Sequence, residues 1–104
     1  MEFIETSIFT ERIVRLVTDE AYRALQAALA ENPRAGDVIP GAGGLRKIRW
    51  RASGRGKRGG LRIIYYCRSE ERLYMIFAYD KTKQGDLTPE QLKMLRTYVQ
   101  GGVL

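Results

Sequence analysis

The sequence predicts an α+β domain, and three observations predict it. Two apolar stripes at helical spacing fill the first third of the chain, three runs of strand length follow in succession, and a helix with encoded ends closes it. The expected order is β-α-α-β-β-β-α: a small antiparallel sheet with an N-terminal helical hairpin and a C-terminal helix. At 104 residues the chain is expected to form a single domain, 1–104.

Met1 to Glu5 alternate loosely, as a short strand would. Ile8, Phe9, Ile13, Leu16 and Val17 then recur at helical spacing. A second helix is expected from Asp19 to Glu31. Tyr22, Leu25, Ala28 and Leu29 form its apolar stripe, Asp19 and Glu20 load its first turn, and Asn32-Pro33 ends it. The link ENPRAGDVIPGAGG follows, too rich in proline and glycine for regular structure.

Leu45 to Arg51 place Ile48 and Trp50 on one face of a strand and Lys47, Arg49 and Arg51 on the other. Leu61 to Cys67 and Leu73 to Tyr79 are nearly all apolar and read as buried strands joined through RSEE in a hairpin. Thr88-Pro89-Glu90-Gln91 then supplies an N-cap, a first-turn proline and a capping-box partner. Leu92, Leu95 and Val99 make that helix's stripe, and Gly101-Gly102 stops it.

A net charge of +6 hides a sharper asymmetry. Between Val38 and Ser69 stand nine basic residues and no acidic one, so this stretch supplies the whole positive excess. A polyanion is the natural partner for such a concentration of cations, most of them arginine. The plain alternative is a solvated face. The lone cysteine, Cys67, excludes an internal disulfide framework and points to a reducing compartment. The opening MEFIETSIFT lacks the basic start of a signal peptide, and no apolar run approaches the ~20 residues of a membrane span. A cytoplasmic protein is expected.

Several chemistries are excluded. The chain has no histidine, hence no usual general base near neutral pH and no zinc ligand set with one cysteine. Asp80 and Asp86 are the nearest approach to a magnesium pair, and a weak one. Phosphate-loop and nucleophile-elbow motifs are absent. What remains is GRGKRGGLR, Gly54 to Arg62, whose glycines allow close backbone approach while Arg55, Lys57 and Arg58 bring donors and charge. Arg62 stands within an apolar strand, which is costly unless the guanidinium is paired or faces a groove. Lys81 and Lys83 follow the strand ending at Tyr79. Tyr65, Tyr66, Tyr74 and Tyr79 offer rings for base stacking, of which one or two are expected to touch RNA.

The run GGLRKIRW, then GRGKRGGLRIIYY, then LYMIFAYDKTKQGDLTPEQLKML resembles the RelE/HigB toxin superfamily, in particular its HigB-like branch. The likeness covers roughly Pro40 to Leu95. It implies a small sheet flanked by helices and a toxin that enters the ribosome and cuts messenger RNA through attack of the RNA's own 2′-hydroxyl. No metal or other cofactor is implied, and the implied partner is a helix-turn-helix antitoxin of the HigA kind. By the resemblance, Lys47 and Arg49 match the basic pair on the first core strand. Arg62 matches the arginine at the scissile phosphate, Lys81 matches the basic residue after the last strand, and Lys83 takes the next cationic role through a small register shift. Arg62, Lys81, Lys83 and Arg49 are thus the expected catalytic residues, with Lys47, Arg51, Arg55, Lys57, Arg58 and Tyr79 binding RNA. Two departures leave the general base open. Thr88 stands where some relatives carry a catalytic tyrosine, and the histidine–aspartate arrangement of others is absent. Tyr79, a lysine or charge alone are the options. The alternative function is a basic module that binds RNA or the ribosome and blocks translation without cutting. A catalytically dead relative kept as an antitoxin's partner is a third.

Overall fold

The computed structural model describes residues 1–52 and 60–101. The elements run β1 (Glu2–Glu5), α1 (Ser7–Leu16), α2 (Asp19–Glu31), β2 (Asp37–Val38), β3 (Arg46–Trp50), β4 (Leu61–Ser69), β5 (Arg72–Asp80), α3 (Lys81–Gln84) and α4 (Pro89–Gln100). Every strand and helix expected is present, and the class is α+β. Two short elements join them, β2 and α3. Among the described residues no helix is long and apolar enough to cross a membrane.

One sheet, ordered β1-β5-β4-β3-β2, holds the fold together. Its core β3-β4-β5 is antiparallel, as the hairpin spacing implies. The sheet as a whole is mixed, because β1 adds to the outer edge of β5 in parallel, with Glu2 opposite Arg72 and Glu5 opposite Met75. No local signal encodes that pairing, since its partners lie seventy residues apart. Beyond β1 the edge of β5 is finished by side chains and a loop amide. Thr6 donates its backbone N–H to Met75 O and its hydroxyl to Ile76 O, and Arg12 Nε donates to Ala78 O at 2.6 Å.

Threonine caps three helices. Thr6, Thr18 and Thr88 each accept an N–H from the first turn of α1, α2 and α4, and Thr88 and Gln91 complete the capping box. Each face of the sheet carries a core. On one, Phe9 and Ile13 of α1 and Leu25 and Leu29 of α2 meet Ile63, Tyr65, Leu73, Met75 and Ala78, with Ile48 and Trp50 alongside. On the other, Leu92, Leu95 and Val99 of α4 cover Ile64, Ile76, Phe77 and Tyr79. Burial of this kind is worth about 1.5–3 kcal/mol per large apolar side chain.

Two local features set the geometry that follows. Ile64 pairs with Phe77 while Tyr65 pairs with Met75, so Ile76 is an extra residue, a β-bulge. Strict alternation from Met75 would send Phe77 and Tyr79 to the α1–α2 face; the bulge sends them to the α4 face instead. The second is in the link before β3. Tyr65 donates its hydroxyl to Pro33 O at 2.9 Å and accepts the Gly36 N–H at 2.8 Å. A side chain at Gly36 would come within 2.8 Å of the Tyr65 ring. The prolines and glycines of this link were expected to forbid regular structure, yet this anchorage holds Asp37 and Val38 extended against Lys47 and Arg46.

Candidate nucleic-acid interface

The α4 face of the sheet is not covered along its whole length. At its far end a row of directly paired residues runs across three strands: Arg49 of β3, Arg62 of β4 and Tyr79 of β5. Lys47 stands two pairs along on the same side of β3, because alternation places Lys47 and Arg49 together, opposite Ile48 and Trp50. β5 then passes directly into α3, whose first residue, Lys81, donates its backbone N–H to Gly60 O at 2.7 Å. These elements enclose an open cavity of about 510 Å³ whose charged lining is Asp37, Lys47, Arg49, Arg62, Lys81 and Asp86. Four cations face two carboxylates. No residue of α4 lines it.

Arg62 is only 8% exposed and donates from Nη1 to Leu61 O. A guanidinium seated so deeply keeps a fixed orientation and a low local dielectric, both of which strengthen its hold on a phosphate. Tyr79, at 1% exposure, lies beneath the cavity. Its hydroxyl donates to Asp86 Oδ1 at 3.3 Å, and Lys47 Nζ approaches the same oxygen at 3.6 Å. The Leu87 N–H donates to it as well, at 2.7 Å. Burial, then the charge of Asp86 and the hydrogen bond to it, push the Tyr79 phenol up to about 12, against the opposing pull of Arg62. Tyr79 therefore stays protonated at neutral pH. The Leu87 N–H, the Lys47 charge and the Tyr79 hydroxyl hold the Asp86 carboxyl below the usual aspartate range, with burial opposing them.

Of the residues picked out in the sequence, Lys47, Arg49, Arg62 and Lys81 come together here. Lys83 does not. Successive residues of a helix turn by about 100°, so Lys81 and Lys83 leave α3 in nearly opposite directions. Lys83 lines a separate depression with Arg12, Arg15 and Asp80. Arg51 is exposed just past the end of β3. Arg55, Lys57 and Arg58 lie outside the described residues. Tyr79, expected at the RNA, does not line the cavity; it stands beside Arg62 and turns its hydroxyl to Asp86. The other rings are also engaged in packing: Tyr65 is fully buried, and Tyr66 and Tyr74 lie half-buried against the α4 core. Asp80 and Asp86 do not pair, since they line different depressions and Asp80 accepts from Thr82 N and Oγ1.

Asp37 is the site residue that pattern reading missed, and Asp86, legible in the sequence only as half of a weak magnesium pair with Asp80, has no place there among the cations. Asp37 lies in the link judged irregular. A family model described as the RelE toxin of the RelE / RelB toxin-antitoxin system matches residues 11–101, a span that contains every lining residue of the cavity.

Proposed function

Because the chain belongs to the RelE toxin family, we propose that it is a messenger-RNA endonuclease acting on the ribosome, and that its cutting site is the cavity over Arg62. The reading rests on one observation: four cations from β3, β4 and α3 converge on an open cavity that also holds a carboxylate fixed by three contacts. Cations preorganised around a phosphodiester stabilise the dianionic phosphorane that forms on attack. Arg62 grips the scissile phosphate, while Lys47, Arg49 and Lys81 neutralise its developing charge. Asp86 takes the proton of the neighbouring 2′-hydroxyl. The 2′-oxygen attacks phosphorus, the bond to the 5′-oxygen breaks, and that oxygen takes a proton from solvent. The products are a 2′,3′-cyclic phosphate and a 5′-hydroxyl, with no metal in the scheme. Proton transfer of this kind contributes about 10²–10⁴-fold.

The likeness of the quoted strand motifs supports reading the chain as HigB-like, a cytoplasmic toxin whose antitoxin is a helix-turn-helix protein of the HigA kind. A cavity lined by four cations and two carboxylates suits cover by such a partner. Primer extension on messenger RNA after induced expression tests the reading: discrete breaks within translated codons are expected, relieved by co-expression of the antitoxin. Arrested translation with intact messenger RNA would overturn cutting in favour of a module that blocks without cleaving, the reading that the absence of histidine favours. Undisturbed growth at good expression would overturn the toxin itself.

A further inference from the structure

α3 is a ridge between two cation-lined depressions. Lys81 faces the cavity over Arg62, and Lys83 faces a second hollow of about 270 Å³ lined by Arg12, Arg15, Leu16, Asp80, Lys83 and Gln84. Three cations stand there against one carboxylate, and that carboxylate is engaged by Thr82 N at 2.9 Å and Thr82 Oγ1 at 2.7 Å. Arg12 is held in place. Its Nε donates to Ala78 O, and its guanidinium lies 4.5 Å from the centre of the Phe77 ring, a cation–π contact. Among the described residues Arg15 pairs with Glu11 of its own helix, at 3.6 Å, with both side chains more than two-thirds exposed. An exposed pair of that kind is worth little and exchanges readily for a better anion. The hollow thus combines one preorganised arginine with two cations that can move to meet a ligand.

We propose that this hollow is a second phosphate site, holding the backbone of the RNA strand that continues out of the cavity over Arg62. The proposal rests on the nucleic-acid reading of that cavity. A strand carries a phosphate at every residue, so a chain bound at Lys81 presents further phosphates to whatever lies across the ridge, and what lies there is Lys83, Arg12 and Arg15. Lys83 thereby acquires a role outside the cutting site.

The test is binding of a labelled single-stranded RNA to the free protein by fluorescence anisotropy over a salt series. It compares the wild type with Arg15→Gln/Lys83→Gln, both changes lying at exposed positions, and thermal melts confirm that the variant is folded. Each phosphate contact on a single strand contributes about 0.7 to the slope of log K against log salt, so losing two should flatten it by about 1.4 and weaken binding at low salt. Lys93→Gln, on the exposed side of α4, is the control and should leave both unchanged. A double variant with wild-type affinity and slope, or a wild type that does not bind single-stranded RNA, overturns the proposal. If RNA binding holds while the complex with the antitoxin weakens, the hollow belongs to an acidic protein segment and the proposal is again overturned. These readouts are separate from cutting: a wild type that leaves messenger RNA intact sinks the nuclease reading whatever the salt slope shows.

Discussion

Arg62 and Tyr79 sit directly opposite one another on β4 and β5, on the same face of the sheet, and both are less than a tenth exposed. Their pairing divides the chemistry between them. The arginine meets the cavity from its floor. The tyrosine, with its phenol held at about 12, serves only as a donor and turns its hydroxyl to Asp86. A phenol so far from ionisation is a poor proton acceptor, and in the proposed cutting reaction that task falls to the carboxylate it supports.

Replacing Arg62 by alanine should abolish cutting, and lysine should restore it only in part. A lysine keeps the charge but loses the planar fork that takes two phosphate oxygens at once. Lys81→Ala should raise the cleavage barrier by about 2–4 kcal/mol, as removing an oxyanion donor does, while Lys93→Ala should change little. Cleavage rates on programmed ribosomes, with melts to confirm folding, decide this. A folded Arg62→Ala protein that cuts at the wild-type rate would remove the site from that cavity.

Asp86→Asn should slow cutting by about 10²–10⁴-fold with RNA affinity retained, as expected when a proton acceptor is lost. The same carboxyl, followed by NMR in the free protein, should titrate below the ordinary aspartate value of about 3.9, because its contacts favour the charged form. It is therefore fully ionised wherever ribosomes function. An asparagine variant of undiminished rate would return the proton to another group.

Tyr79→Phe tests the support beneath Asp86. Removing the hydroxyl takes away a hydrogen bond to the ionised form, so the Asp86 titration should move upward, toward the ordinary value. The expected loss of stability is about 0.5–1.5 kcal/mol, that of a single net hydrogen bond. An unmoved titration would mean that the Leu87 N–H and Lys47 fix the carboxylate unaided.

The fold was largely legible because its signals are local. The Thr88–Gln91 box, the alternation that sets Ile48 and Trp50 against Lys47 and Arg49, and the apolar runs of β4 and β5 each depend on neighbours a few residues away. What escaped depends on distance. The parallel docking of β1, the insertion of Ile76 and the meeting of Asp86 with Lys47 and Tyr79 arise only once the sheet is assembled. Lys83 parts from Lys81 for a simpler reason: two residues along a helix is a reversal of direction, and the sequence does not announce that a helix begins at Lys81.

Gly36→Ala should destabilise the protein, by about 1–3 kcal/mol if the site repacks as overfilled cores do. The added Cβ would meet the Tyr65 ring at 2.8 Å and disturb the hydroxyl that anchors the link. Differential scanning calorimetry should register a lowered Tm, and Gly41→Ala, at a φ of 69° with open space around it, isolates the separate cost of backbone strain. An unshifted Tm for Gly36→Ala would show that the link can withdraw from Tyr65 at no cost.

The extra residue at Ile76 also divides β5 into two stretches with different neighbours. Before it, the odd-numbered Leu73 and Met75 answer to the α1–α2 core, where any aliphatic of similar volume serves. After it, the odd-numbered Phe77 and Tyr79 answer to the opposite side, beside Arg12 and Asp86. A saturation library along the strand should accordingly change parity partway: odd positions that tolerate hydrophobic exchange give way to odd positions that do not. The two halves should therefore tolerate exchange separately, although nine consecutive residues form one strand.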